Sequence, residues 1–132
     1  MDLQKIEQDF HEKVSGRVRI LSEGMDRFRV LTPFMLQDGD HLAIILKRDG
    51  EGWVLSDEGH TCMVLASDPD KKGLQGGIGQ EDIASVLLGL DIEDRAGELM
   101  VAVEDAHFGD ALHTLVRGLL RITELAMPST RD

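Results

Sequence analysis

A chain of 132 residues is one domain's worth of sequence, long enough to bury a core without staples. Its hydrophobic content of 42% argues for a globular fold rather than disorder. The formal charge of −11 opposes diffuse attraction to nucleic acid or anionic lipid, which needs Lys and Arg at phosphates.

No apolar run reaches the roughly 18 residues that a membrane-spanning helix needs. The start, Met1–Phe10, is acidic and polar, unlike a secretory signal. The single Cys62 cannot form an internal disulfide, which fits a reducing compartment. The expectation is a soluble cytoplasmic protein with no membrane partner.

Along the chain, Leu3, Ile6, Phe10 and Val14 fall at helical spacing, which predicts a first helix over 2–14. Asp2 can cap its start, and Gly16 lies just past its end. Arg17–Leu21 and Arg27–Leu31 alternate with period two. Val18, Ile20, Phe28 and Val30 point one way, and Arg17, Arg19, Arg27 and Arg29 the other. Pro33 donates no ladder hydrogen bond and is expected to end the second strand.

His41–Arg48 is apolar on both faces in its middle, which predicts a central strand. Asp49-Gly50 turns the chain into an antiparallel return over Trp53–Leu55. Asp57 is placed to cap a short helix over His60–Ala66. Ser67–Gly79, with Pro and four Gly, reads as a flexible loop. A helix over Gln80–Leu90 and a strand over Glu98–Glu104 follow.

The last helix, about Ala106–Met127, carries Phe108, Leu112, Leu115, Leu119 and Ile122 in a heptad-like seam. Ala111, Val116 and Leu120 widen it enough to cover a sheet, or to cover a sheet and meet a second copy. The order α-β-β-β-β-α-α-β-α implies an α+β fold over 1–132: a mostly antiparallel sheet of about five strands with the long helix packed on it.

Three groups of residues could carry chemistry. Asp38 and Asp40 sit at one turn, Asp57 and Glu58 at another, with His41 and His60 beside them. If these corners converge, two carboxylates and a His could hold a divalent metal. The competing reading is that Asp38-Gly39 makes a turn and Asp57 a helix cap. A nuclease pairing Asp with a downstream Glu-x-Lys would need Glu at Ile45, before Lys47.

The loop Gly73-x-x-Gly76-Gly77-x-Gly79 precedes a helix, as phosphate loops do, but Glu81 and Asp82 already place negative charge there. The row Arg17, Arg19, Arg27 and Arg29 must be answered by nearby Glu and Asp or by an outside anion. His60-x-Cys62 is not metal-finger spacing, and no cofactor or catalytic set emerges.

Leu31-Thr32-Pro33-Phe34, then Asp40-x-Leu42-x-Ile44, then Gly52-Trp53-Val54-Leu55-Ser56-Asp57-x-Gly59-x-Thr61 resembles a small bacterial and phage family known only as a domain of unknown function. Gly97-Glu98-Leu99 and Phe108-Gly109-x-Ala111-Leu112-His113 are similar too, so the likeness spans roughly residues 5–125. The resemblance implies a single-module protein, sometimes carried on mobile elements, and assigns no activity. It singles out Asp40, Ser56, Asp57 and Thr61 as a shared polar corner.

The expectation for function is a non-enzymatic, homodimeric protein that binds another protein as a regulator, inhibitor or chaperone-like adaptor. The alternatives are a metal-dependent hydrolase or nuclease using Asp40 and Asp57, and a nucleic-acid binder using the arginine row.

Overall fold

The computed structural model describes residues 3–35, 41–61 and 78–126. Helix α1 (Leu3–Lys13) buries Ile6 and Phe10, two of the residues whose spacing predicts it. Strands β1 (Arg19–Gly24) and β2 (Arg27–Met35) form a hairpin, with Asp26 in the left-handed region at its turn (φ 55°). Strands β3 (His41–Asp49) and β4 (Gly52–Ser56) form the next. Helix α2 (Ile78–Leu90), strands β5 (Glu93–Arg95) and β6 (Glu98–Val103), and helix α3 (Phe108–Ala126) complete the order.

The sheet runs β1-β2-β3-β4-β6-β5, and each neighbouring pair is antiparallel. The fold is α+β, as the element order implies, with six strands among the described residues rather than about five. The added strand is β5. All three of its residues are charged and exposed, so no alternation marks it in the sequence.

Pro33 does not end β2. The strand continues to Met35 through a register shift between Leu31 and Met35. Such an irregularity tolerates a residue without an N–H. Beside it, buried Thr32 donates its hydroxyl to the Leu42 carbonyl (2.6 Å). Ile78 and Gly79 are helical, within α2. The rest of the expected 67–79 loop and the expected helix beyond Thr61 lie outside the described residues.

One sheet face carries Val30, Ile44, Leu46, Leu55, Leu99 and Val101, which form a single buried cluster with the helices. From α3 come Ala111, Leu112, Leu115, Val116, Leu119 and Ile122, so its apolar seam packs against this chain's own sheet. Helices α1 and α2 flank it, supplying Ile6 and Phe10 on one side and Val86, Leu87 and Leu90 on the other. Most of the seam is therefore covered within one chain, with Phe108 and Leu120 only partly buried.

Two glycines let α3 sit this close. A Cβ on Gly118 would stand 2.2 Å from the Ile92 side chain. A Cβ on Gly109 would stand 2.6 Å from the backbone oxygen of Asp9, which cannot swing aside. Gly109 also donates its N–H to the Asp9 carboxylate (2.6 Å), so α1 caps α3. Gly109→Ala is expected to cost about 1–3 kcal/mol, the scale of overpacking a tight contact. Urea denaturation measures it, and an unchanged midpoint would show that α1 yields freely at this point.

Candidate functional site

The polar corner is built where β4 ends. Asp57 is 3% exposed, and its carboxylate takes three backbone N–H groups. Gly59 (2.8 Å) and Leu99 (3.0 Å) donate to Oδ1, and Thr61 (3.2 Å) donates to Oδ2. Glu58 (φ 51°) and Gly59 (φ 82°) are both left-handed, which bends the chain back so that these donors converge. Asp57 is thus the cap of the helical turn that begins at His60, as its position predicts, and also a tie to β6.

Ser56 is fully buried. Its hydroxyl donates to the Glu98 carboxylate (2.5 Å) and accepts the Glu58 N–H (2.8 Å). Thr61 is also fully buried, and its hydroxyl has no hydrogen-bond partner among the described residues. Asp40 lies outside the described residues. With both Asp57 oxygens engaged by backbone donors, the corner's chemistry is that of a brace. Among the described residues, no group of three or more His, Cys, Asp or Glu could hold a metal ion.

A ladder of charges crosses the sheet face opposite the helices. Glu23 pairs with Arg29 (2.5 Å) and Arg27 (3.2 Å). Arg27 makes a two-pronged contact to Glu58 (2.8 and 2.7 Å). Lys47 bridges Glu58 (3.1 Å) and Glu98 (2.6 Å). The Arg27 hydrogen bonds pull the Glu58 carboxyl from 4.5 to about 2, with burial opposing and Lys47 assisting. Lys47 and Ser56 lower the Glu98 carboxyl in the same way. For Lys47, burial works to lower the value, but its bonds to Glu98 and Glu58 outweigh it and raise the ammonium on balance.

This ladder divides the arginine row. Arg27 and Arg29 are answered inside the protein, whereas Arg17 and Arg19 make no side-chain contact of this kind among the described residues. Leu21 (51% exposed) and Leu31 (38% exposed) share that outer face. Arg19 stands opposite Leu31, and Leu21 opposite Arg29. The signal for these two leucines is present in the sequence, since each continues the odd-numbered parity of the arginines. It is easily passed over because the charges dominate the pattern.

A second concave feature needs the tertiary structure. Ile6, Trp53, Val103 and Phe108 form the apolar part of a groove of about 830 Å³ between α1, two hairpin ends and the start of α3. The Arg48 guanidinium lies over the Trp53 ring at 4.8 Å from its centre and pairs with Asp26 (3.7 Å). Asp9, also at the groove, caps Gly109. These charged groups are thus answered within the chain.

Residues 32–122 match a family model described as "Domain of unknown function DUF1828". The match is narrower than the span of roughly 5–125 expected from the sequence, and α1, β1 and the Leu21–Leu31 surface lie outside it except for the end of β2. No curated protein and no solved structure matches the chain.

Two outcomes test the corner. Asp57→Ala strands three N–H groups and is expected to destabilise by about 3 kcal/mol or more. Thr61→Val removes only an unpartnered hydroxyl and should change stability by less than about 1 kcal/mol. Chemical denaturation of both variants checks the contrast, and equal losses would contradict the assigned roles.

Acid titration tests the ladder. The folded Glu58 value lies below its unfolded value, so the stability it contributes is complete above about 4.5 and is lost as pH falls towards about 2. Glu58→Gln should flatten the acid limb in that window and cost about 0.5–1 kcal/mol at neutral pH, the scale of a partly exposed pair.

Proposed function

We propose that this chain, which belongs to the DUF1828 family, is a module that binds another protein through the outer face of the β1–β2 ribbon. One observation carries the reading. Five large hydrophobic residues are exposed among the described residues, and four of them lie on this ribbon: Leu21, Met25, Leu31 and Met35. The fifth, Leu88, lies on α2.

Exposed apolar residues scattered singly need no explanation, whereas a concentration on one element marks an interaction surface. Met25 (93% exposed) at the hairpin tip and Met35 (54% exposed) at the far end add flexible side chains that adapt to a partner. Regulators, inhibitors and adaptors all require such a surface and no reaction.

Tagged capture from the native host tests the reading. Leu21→Asp, with the fold verified by circular dichroism, is expected to lose a protein that the parent retains. Trp53→Ala, in the groove on the opposite face, is expected to keep it. A partner retained by Leu21→Asp and lost by Trp53→Ala would move the binding site to the groove.

A further inference from the structure

The ribbon's outer face combines two features that its surroundings do not neutralise. Arg17 and Arg19 have no side-chain hydrogen bond or ion pair among the described residues, while the neighbouring Arg27 and Arg29 are held by Glu23 and Glu58. In a chain of net charge −11, two cations unanswered among the described residues stand out, Arg19 at the start of β1 and Arg17 in the turn just before it. Beside them lie exposed Leu21 and Leu31, the latter in cross-strand register with Arg19. Arg19 and Leu21 thus share the outward parity of β1, with Leu31 across from Arg19, while Arg17 lies in the turn just before the strand.

The edge of β1 is a different matter. Glu7 of α1 accepts the Ile20 N–H (3.0 Å), and the His11 ring donates to the Val18 carbonyl (2.7 Å). Both backbone groups point away from β2 and would otherwise be free to pair with an added strand. Helix α1 occupies them.

Resting on the protein-binding reading above, we infer that this face takes an extended segment of another protein in which acidic side chains alternate with apolar ones. The segment lies across the face and does not extend the sheet at the β1 edge. Its carboxylates answer Arg17 and Arg19, and its apolar side chains cover Leu21 and Leu31.

A second copy is a poor occupant. The carboxylates that the described residues place on this face, Glu23, Glu58 and Glu98, are already engaged by Arg27, Arg29 and Lys47, so a copy brings none of them free to answer Arg17 and Arg19. Nucleic acid is disfavoured by the acidic chain and by the absence of any aromatic residue on the outward parity of β1 and β2.

The test uses the full chain and a short fluorescent peptide of alternating Glu and Leu, followed by anisotropy. The comparison probes are a Gln–Leu peptide, a Glu–Ser peptide and a single-stranded oligonucleotide. The Glu–Leu peptide is expected to bind, and its affinity to fall with salt. Arg19→Glu and Leu21→Ser should each weaken it about tenfold, and the milder Arg19→Gln should weaken it less. Glu7→Ala should leave it within about twofold.

Equal binding of the Gln–Leu peptide overturns the acidic chemistry while leaving protein binding by this face intact. Tighter binding by Glu7→Ala overturns docking on the face in favour of the edge. Preference for the oligonucleotide, or no binding of the Glu–Leu peptide at millimolar concentration, overturns the inference outright. The reading it rests on fails separately, if capture is insensitive to Leu21→Asp.

Discussion

The carboxylate of Asp57 braces the junction between the two halves of the sheet, at the end of the β4–β6 ladder. Strand β4 pairs not with the next strand in sequence but with β6, and Ser56, its last residue, stands opposite Met100. One residue beyond that pairing, Asp57 exchanges backbone bonds with Leu99, donating its N–H to the Leu99 carbonyl (3.1 Å) and accepting the Leu99 N–H on its side chain (3.0 Å). The same side chain starts the helical turn at His60. A short acidic side chain suits both tasks, because a carboxylate offers several acceptor sites and backbone N–H groups supply only donors. Burying that charge is costly, and three charge-assisted bonds offset the cost.

Around this brace, electrostatics govern how the sheet meets its surroundings. The ladder Arg29–Glu23–Arg27–Glu58–Lys47–Glu98 alternates in sign from the outermost hairpin to β6 and so neutralises itself. Both sheet edges are guarded. At one end β5 is three charged residues long, with Arg95 tied to Glu93 and Asp49. At the other, Glu7 and His11 hold outward-pointing backbone groups of β1 and its approach. Short charged edges and covered backbone groups discourage strand addition. On the outer face of β1 and β2, exposed Leu21 and Leu31 lie beside Arg19, which has no ion pair among the described residues.

Much of the fold is legible in the residues because it follows from local rules. Period-two alternation over Arg27–Leu31, helical spacing over Leu3–Val14 and the long seam from Phe108 to Ile122 each reflect a side chain's need to face one core. The cap at Asp57 is legible for the same reason, since the donors Gly59 and Thr61 lie within four residues of it. Pro33 misleads because a single residue reveals its missing N–H but not the register shift that accommodates it. Strand β5 is invisible because its pairing with β6, rather than any burial of its side chains, makes it a strand.

For the polar corner and the arginine row, the division falls at sequence distance. The residues by themselves determined that Asp57 turns and caps the chain, that Arg19, Arg27 and Arg29 share one side of a hairpin, and that the last helix carries an apolar seam, whereas Arg17, expected beside them, lies in the turn before β1. Only the tertiary structure decided that Leu99, 42 positions later, also binds Asp57, and that Glu58 and Glu23 satisfy Arg27 and Arg29 while, among the described residues, nothing answers Arg17 and Arg19. It also decided that α1 and α2 cover the flanks of the seam. The physical reason is the same in each case. Parity and propensity are properties of neighbours in the chain, whereas the partner that answers a charge or covers an apolar face is brought there by the fold.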